Sequence, residues 1–203
     1  MTEATSPEQT VLHALRCAGH CAIPRIAATT GLEESVVESV LIDLGGQGFV
    51  TRQFGVWGLT EAGRDADTRH AAHALADPGV AKTIRAAYER FLVLNPELLD
   101  LCTAWQLRPA GDSTVVNDHR DAAYDTLVLG RFVNLDERVG PVIADLAAAL
   151  PRFGHYRSRL AGALDLARGG DRDYVADNTG SYHAVWAELH EDLLATLGIA
   201  RWH

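Results

Sequence analysis

The residues best suited to chemistry fall in three short segments rich in polar aromatics. They are TAWQLR at 103–108, NDHRDAAYD at 117–125 and SYHAVWAELHED at 181–192. In the third, Tyr182, Trp186, Leu189 and Leu193 share one helical face, and His183, Ala187, His190 and Leu194 share the next. In the second, Asp118, Asp121 and Asp125 recur at i, i+3 and i+7 beside His119. Small-molecule sites combine a mostly apolar lining with a few placed polar groups. The expected ligand site therefore has Trp105, Tyr124, Tyr182 and Trp186 as walls and Gln106, His119, His183 and His190 as polar anchors. The competing expectation is a packed core, in which indole N–H and phenol O–H groups find internal partners and the acids cap helices.

Metal and covalent chemistry find less support. His119, Asp121, His183 and His190 are ligand types, but they contain no His-x3-His or Glu-x-x-His pair, and His183 and His190 are two turns apart. Cys17, Cys21 and Cys102 are an odd set without a second Cys pair to complete a zinc site, so ordinary free thiols are expected. There is no G-x-S-x-G, and Gly45-Gly46-Gln47-Gly48 is not followed by the Lys and Ser/Thr of a phosphate loop. No catalytic residue, metal or cofactor is assigned.

These segments must be positioned by helices, and the chain reads as mainly α. Ser6-Pro7-Glu8-Gln9 opens the first helix with a capping box and a proline at its first position. A second short helix, from about Ala22, ends in the turn at Gly31. A third runs from about Glu33 to Gly45. Phe49–Arg52 and Val56–Thr60 read as a strand pair around Gln53-Phe54-Gly55, and Thr60-Glu61 starts another helix. Beyond residue 66, long Ala/Leu/Arg-rich helices are expected, broken at Asn95-Pro96 and Pro151 and broken or kinked at Gly140-Pro141, with 109–114 as a polar loop and a helix starting at Asn117 or Asp118. The expected architecture is an N-terminal domain over 1–65 and an antiparallel helical bundle over 66–203.

The first 65 residues resemble the winged helix-turn-helix of MarR- and ArsR-like regulators. The resemblance rests on Ile26-Ala27-x-x-Thr30-Gly31-Leu32, on Leu41-x-x-Leu44-x-x-x-Gly48-Phe49-Val50, and on Leu59-Thr60-Glu61-Ala62-Gly63-Arg64. It implies a transcriptional regulator that binds double-stranded DNA as a homodimer, with a small-molecule effector held by the helical domain. Arg25, Ser35, Ser39 and Arg52 are the implied DNA contacts.

Charge points the other way. Over residues 1–65 four arginines face eight acids, and the third helix carries Glu33, Glu34, Glu38 and Asp43 with no base. DNA affinity rests largely on Lys and Arg neutralising phosphates. The outward positions of that helix are expected to be Val36, Ser39, Val40, Ile42 and Asp43, an apolar and anionic strip that suits a protein contact. Two rival readings follow. In one, the winged helix has lost DNA binding and the bundle binds or converts a small molecule. In the other, the chain is a protein-interaction module.

With 203 residues and 47% hydrophobic content the chain is long enough for a sizeable core. Its net charge of −9, with Lys82 as the sole lysine, disfavours nonspecific binding to nucleic acid or anionic membrane. No run of about 18 apolar residues occurs, and Met1–Pro7 lacks a basic and an apolar leader region, so no membrane partner and a cytoplasmic location are expected.

Overall fold

The computed structural model describes residues 5–200, and the leader reading of residues 1–4 lies outside the described residues. Among the described residues the chain is mainly helical, with nine α-helices and two antiparallel two-stranded sheets. It divides into two compact units. Lys82–Ala187 forms one, and the segments on either side of it form the other.

The first unit begins with α1 (Pro7–Ala18). Ser6 Oγ accepts from the Gln9 amide at 3.3 Å and Gln9 Oε1 accepts from the Ser6 amide at 3.2 Å, so two of the helix's orphan donors are satisfied reciprocally. Next comes α2 (Ile23–Thr30), which ends at Gly31 with φ 73°, the left-handed cap that glycine adopts most readily. The chain then enters α3 (Glu34–Gly46). A hairpin follows, β1 (Val50–Gln53) and β2 (Val56–Leu59), in register from Val50 opposite Leu59 to Gln53 opposite Val56. Its two-residue turn places Phe54 at φ 50° and Gly55 at φ 85°, the primed-turn geometry that matches strand twist.

Thr60 caps α4 (Glu61–Ala74) by accepting from the Gly63 amide at 3.1 Å. A side chain at Gly63 is excluded, because a Cβ there would lie 2.1 Å from the Phe49 carbonyl oxygen. The core of this unit gathers Val11, Leu12 and Leu15 of α1, Ile26 of α2, Val37, Val40, Leu41 and Leu44 of α3, and Val50, Trp57 and Leu59 of the hairpin. Val40 was expected outside. Positions 37, 40, 41 and 44 form one i, i+3, i+4, i+7 stripe, and Val40, 8% exposed, completes it. Val36 and Ile42 do face outward, at 40% and 61% exposure.

The second unit holds most of α5 (Pro78–Gln106), then β3 (Leu107–Ala110), β4 (Ser113–Val116), α6 (Ala122–Ala149), a 3-10 turn at Pro151–Phe153, α7 (Gly154–Arg168), α8 (Asp173–Ala176) and the start of α9 (Tyr182–Leu197). Four expectations need correction here. α5 runs unbroken through Asn95-Pro96, and α6 through Gly140-Pro141. Both prolines lie on the exposed side of their helices, where the carbonyl each leaves unbonded can be hydrated. The loop expected at 109–114 is a hairpin turning at Gly111, φ 62°. α6 begins at Ala122 rather than near Asn117, because Asp121 Oδ1 accepts from the Ala123 and Tyr124 amides and acts as the cap.

Candidate functional site

The end of α5 organises the second unit's polar residues. The last carbonyls of a helix have no partner within it. Here Asn117 and Tyr124 supply them. The Asn117 carboxamide donates to the Trp105 carbonyl at 3.0 Å, the Asn117 amide donates to Gln106 at 2.8 Å, and the Tyr124 hydroxyl lies 2.8 and 3.0 Å from the Ala104 and Leu107 carbonyls.

That anchoring sets His119 in place. Its backbone takes φ 56°, a conformation that few non-glycine residues adopt. Its ring lies 4.6 Å, centroid to centroid, from the Trp105 indole. Its Nδ1 is 3.0 and 3.1 Å from the two oxygens of the buried Asp125 carboxylate. The second hydrogen of the Asn117 carboxamide also goes to Asp125 Oδ1, at 2.9 Å. His119 Nδ1 also lies 3.1 Å from the Asn117 carboxamide nitrogen; in the Nδ1-protonated tautomer the ring donates to Asp125 and presents Nε2 as an acceptor. An imidazole so oriented can accept a proton or hold a ligand hydroxyl. Arg172 Nη2 lies 3.6 Å from the other Asp125 oxygen, and Arg108 and Arg120 both approach Asp118, at 3.8 and 3.7 Å. His119 and Arg172 therefore share the Asp125 carboxylate, while Arg108 and Arg120 pair with Asp118, the residue before His119.

The structure brings Trp105, His119 and Tyr124 together but sets the other expected ligand residues apart. Tyr182 and Trp186 pack in the core with Phe91 and Phe132. Trp186 stacks on Phe91 at 4.8 Å and donates from Nε1 to Asn95 Oδ1 at 2.9 Å. Tyr182 meets Phe132 edge-on at 5.6 Å and donates to Asp136 Oδ1 at 3.2 Å. The same Asp136 is gripped by both terminal nitrogens of Arg157. Burial, reinforced by the Asp136 charge, pushes the Tyr182 hydroxyl well above the ordinary phenol range, and the hydrogen bond to Asp136 raises Arg157. Gln106 is exposed, His183 is half-buried, and His190 belongs to the first unit.

In the first unit the outward face of α3 carries Glu34, Ser35, Glu38, Ser39 and Asp43, all exposed, so the two serines stand among acids. Arg52 is exposed on β1, with its guanidinium carbon 5.7 Å from the ring centroid of its cross-strand partner Trp57. Arg25 is drawn inward, its Nη2 2.5 Å from Oε1 of Glu188 on α9.

Sequence reasoning missed one cluster in this unit. His13 and Cys17 lie one turn apart on α1. His13 Nδ1 is 2.9 Å from Asp67 Oδ1 on α4, and its Nε2 is 2.9 Å from Asp192 Oδ1 on α9. The spacing His-x3-Cys was the available signal. All three thiols are pushed up by burial, Cys102 to about 11.

No protein-family model, characterised protein or solved structure matches this chain. Among the described residues no helix is long and apolar enough to cross a membrane.

Proposed function

We propose that the chain is a transcriptional regulator of the winged helix-turn-helix kind, with its second unit an antiparallel helical bundle that holds an effector and supports a homodimer. One observation carries this reading. α1, α2 and α3 wrap a shared core, Gly31 turns α2 into α3, the β1–β2 hairpin follows directly, and α3 keeps one whole face outside that core. This is the arrangement in which a helix enters a major groove beside a wing. Ser35, Ser39 and Arg52 are the groups that would meet duplex DNA. An effector seated at His119 would bias the population of DNA-competent dimers.

The test is fluorescence anisotropy with a random duplex. Measurable binding at roughly 50 mM salt that weakens steeply as salt rises supports the regulator. A folded dimer that does not bind under those conditions overturns it.

A second reading is favoured by two observations, the anionic face of α3 and the engagement of Arg25 by Glu188. In it the winged helix is a scaffold, and the His119–Asp125 pair is the working site of a small-molecule binding or converting bundle. A thermal-shift screen of small anions separates the two. A stabilising hit that is lost in His119→Gln, in a chain without duplex affinity, selects this second reading.

A further inference from the structure

We propose that His13, Cys17 and Asp192 form a binding site for a thiophilic divalent cation of the zinc class, with Asp67 as the group that orients the imidazole. The inference concerns the first unit alone and holds whether or not the chain binds DNA.

The ligand atoms are already gathered. One nitrogen of His13, the Cys17 sulfur and an Asp192 oxygen lie within 4.8 Å of one another. A tetrahedral zinc ion with bonds of about 2.0–2.3 Å separates its ligand atoms by roughly 3.5 Å, so small side-chain rotations convert the cluster into a coordination shell. The pair His13 and Cys17 is spaced i, i+4 on α1, which sets both side chains on one face. Nitrogen, thiolate and carboxylate together are a zinc-type donor set, and they exclude the all-oxygen shells of magnesium and calcium.

The surroundings are those a metal ligand needs. His13 Nδ1 faces Asp67 Oδ1 at 2.9 Å, leaving Nε2 on the side of Asp192 and Cys17. A carboxylate behind a histidine in this way fixes its tautomer and raises its basicity toward a metal. Asp192 is itself held, since its Oδ1 accepts from the Thr196 hydroxyl at 3.0 Å. The imidazole is 12% exposed and the two carboxylates 3% each, so the cluster is dry yet reachable through the histidine edge.

Charge balances on binding. Binding displaces the Cys17 thiol proton, and any proton on His13 Nε2, to solvent. The Cys17 thiolate and the Asp192 carboxylate then offset the two charges of the ion. Three protein ligands leave one coordination position open. The bound ion would tie α1 to α9 within this unit.

The experiment uses the full chain, stripped with a chelator, dialysed against Zn2+ and washed, with metal counted by atomic emission. The expected result is one zinc per chain and a raised melting temperature. Co2+ in place of Zn2+ is expected to give a thiolate-to-cobalt charge-transfer band that disappears in Cys17→Ser and persists in Cys102→Ser. Asp67→Asn should keep the stoichiometry and weaken affinity roughly 10- to 100-fold. A wild-type chain that retains no stoichiometric metal after washing overturns the proposal, whatever the variants do. So does a cobalt band that survives in Cys17→Ser.

Discussion

The Arg25 guanidinium and the Glu188 carboxylate lie 2.5 Å apart, on α2 and α9, with Glu188 4% exposed. The arginine that the sequence offers to a DNA phosphate is thus committed to an internal acid. Desolvating a carboxylate is expensive unless a cation accompanies it, so the pair holds α9 against α2 within the first unit.

Arg25→Ala is therefore expected to act on stability before it acts on binding. Removing the guanidinium from so buried a carboxylate should cost about 2–4 kcal/mol, the lower part of the range applying because Arg25 itself is 29% exposed. Arg25→Ala combined with Glu188→Gln should recover part of that loss. Urea unfolding of the two variants measures it. Equal losses in both would show that the ion pair is not what holds α9 there.

The charge of α3 can be tested by reversal. Glu34→Lys and Glu38→Lys are on the exposed face and leave the core stripe untouched. If that face meets DNA, each new lysine that reaches a phosphate should steepen the slope of log affinity against log salt by about 0.9. Anisotropy titrations over a salt series read this directly. A slope unchanged in the double variant places the duplex elsewhere or nowhere.

How much was legible in the sequence depended on how local the cause was. The Ser6–Gln9 box, the left-handed cap at Gly31 and the close approach at Gly63 each act within a few residues, and the sequence marks them with the residue type that the geometry demands. Pro96 and Pro141 mislead because propensity alone predicts a break, whereas a proline on the solvent side of a well-buried helix is tolerated. The β3–β4 hairpin has exposed strands, so no apolar alternation announces it. Val40 lies inside because the buried stripe of a helix is wide enough to include it. The His13 cluster is invisible by spacing beyond the His–Cys pair, since its two carboxylates come from positions 54 and 179 residues away. The same holds for Tyr182 and Trp186, whose partners Asp136 and Asn95 give their polar atoms a structural explanation.

Asn117 holds the His119 site together, and its replacement should show it. Its carboxamide donates to Trp105 and to Asp125 from a buried position. Asn117→Ala should cost about 2–3 kcal/mol, because it orphans a helix-end carbonyl and part of a carboxylate at once. Asn117→Ala and Asp125→Asn should be non-additive, since they share one hydrogen bond. A double-mutant cycle by chemical denaturation tests this, and strict additivity would refute the network.

Tyr182 gives the chain an alkaline limit. The folded state keeps this phenol protonated beyond its ordinary range, because burial and then the Asp136 charge oppose ionisation. The unfolded chain releases the same proton near the usual value of about 10. Above that pH the unfolded state binds fewer protons than the folded one, so this residue makes stability fall as pH rises. Tyr182→Phe removes the titrating group, and its stability should fall less steeply between pH 10 and 11 (approximate bounds from the same reference value). Denaturation midpoints across that window measure the difference. Parallel curves for the two proteins would show that Tyr182 ionises alike in both states.

The tip of the β1–β2 hairpin sets stability against function. Phe54 is fully exposed and sits at φ 50°, where a bulky L residue is strained and an asparagine is comfortable. The two-residue turn requires that backbone, and no burial of the ring offsets its cost. In the winged-helix reading the exposed ring is available for a contact made on binding. Phe54→Asn, which creates the favoured Asn-Gly turn, should stabilise the free protein by about 0.5–1 kcal/mol. In the winged-helix reading the same change should weaken capture of whatever the wing meets, duplex or protein. Thermal unfolding and the anisotropy assay on one preparation give both numbers. A variant that is more stable and binds as well as the parent would show that the phenyl ring takes no part in docking.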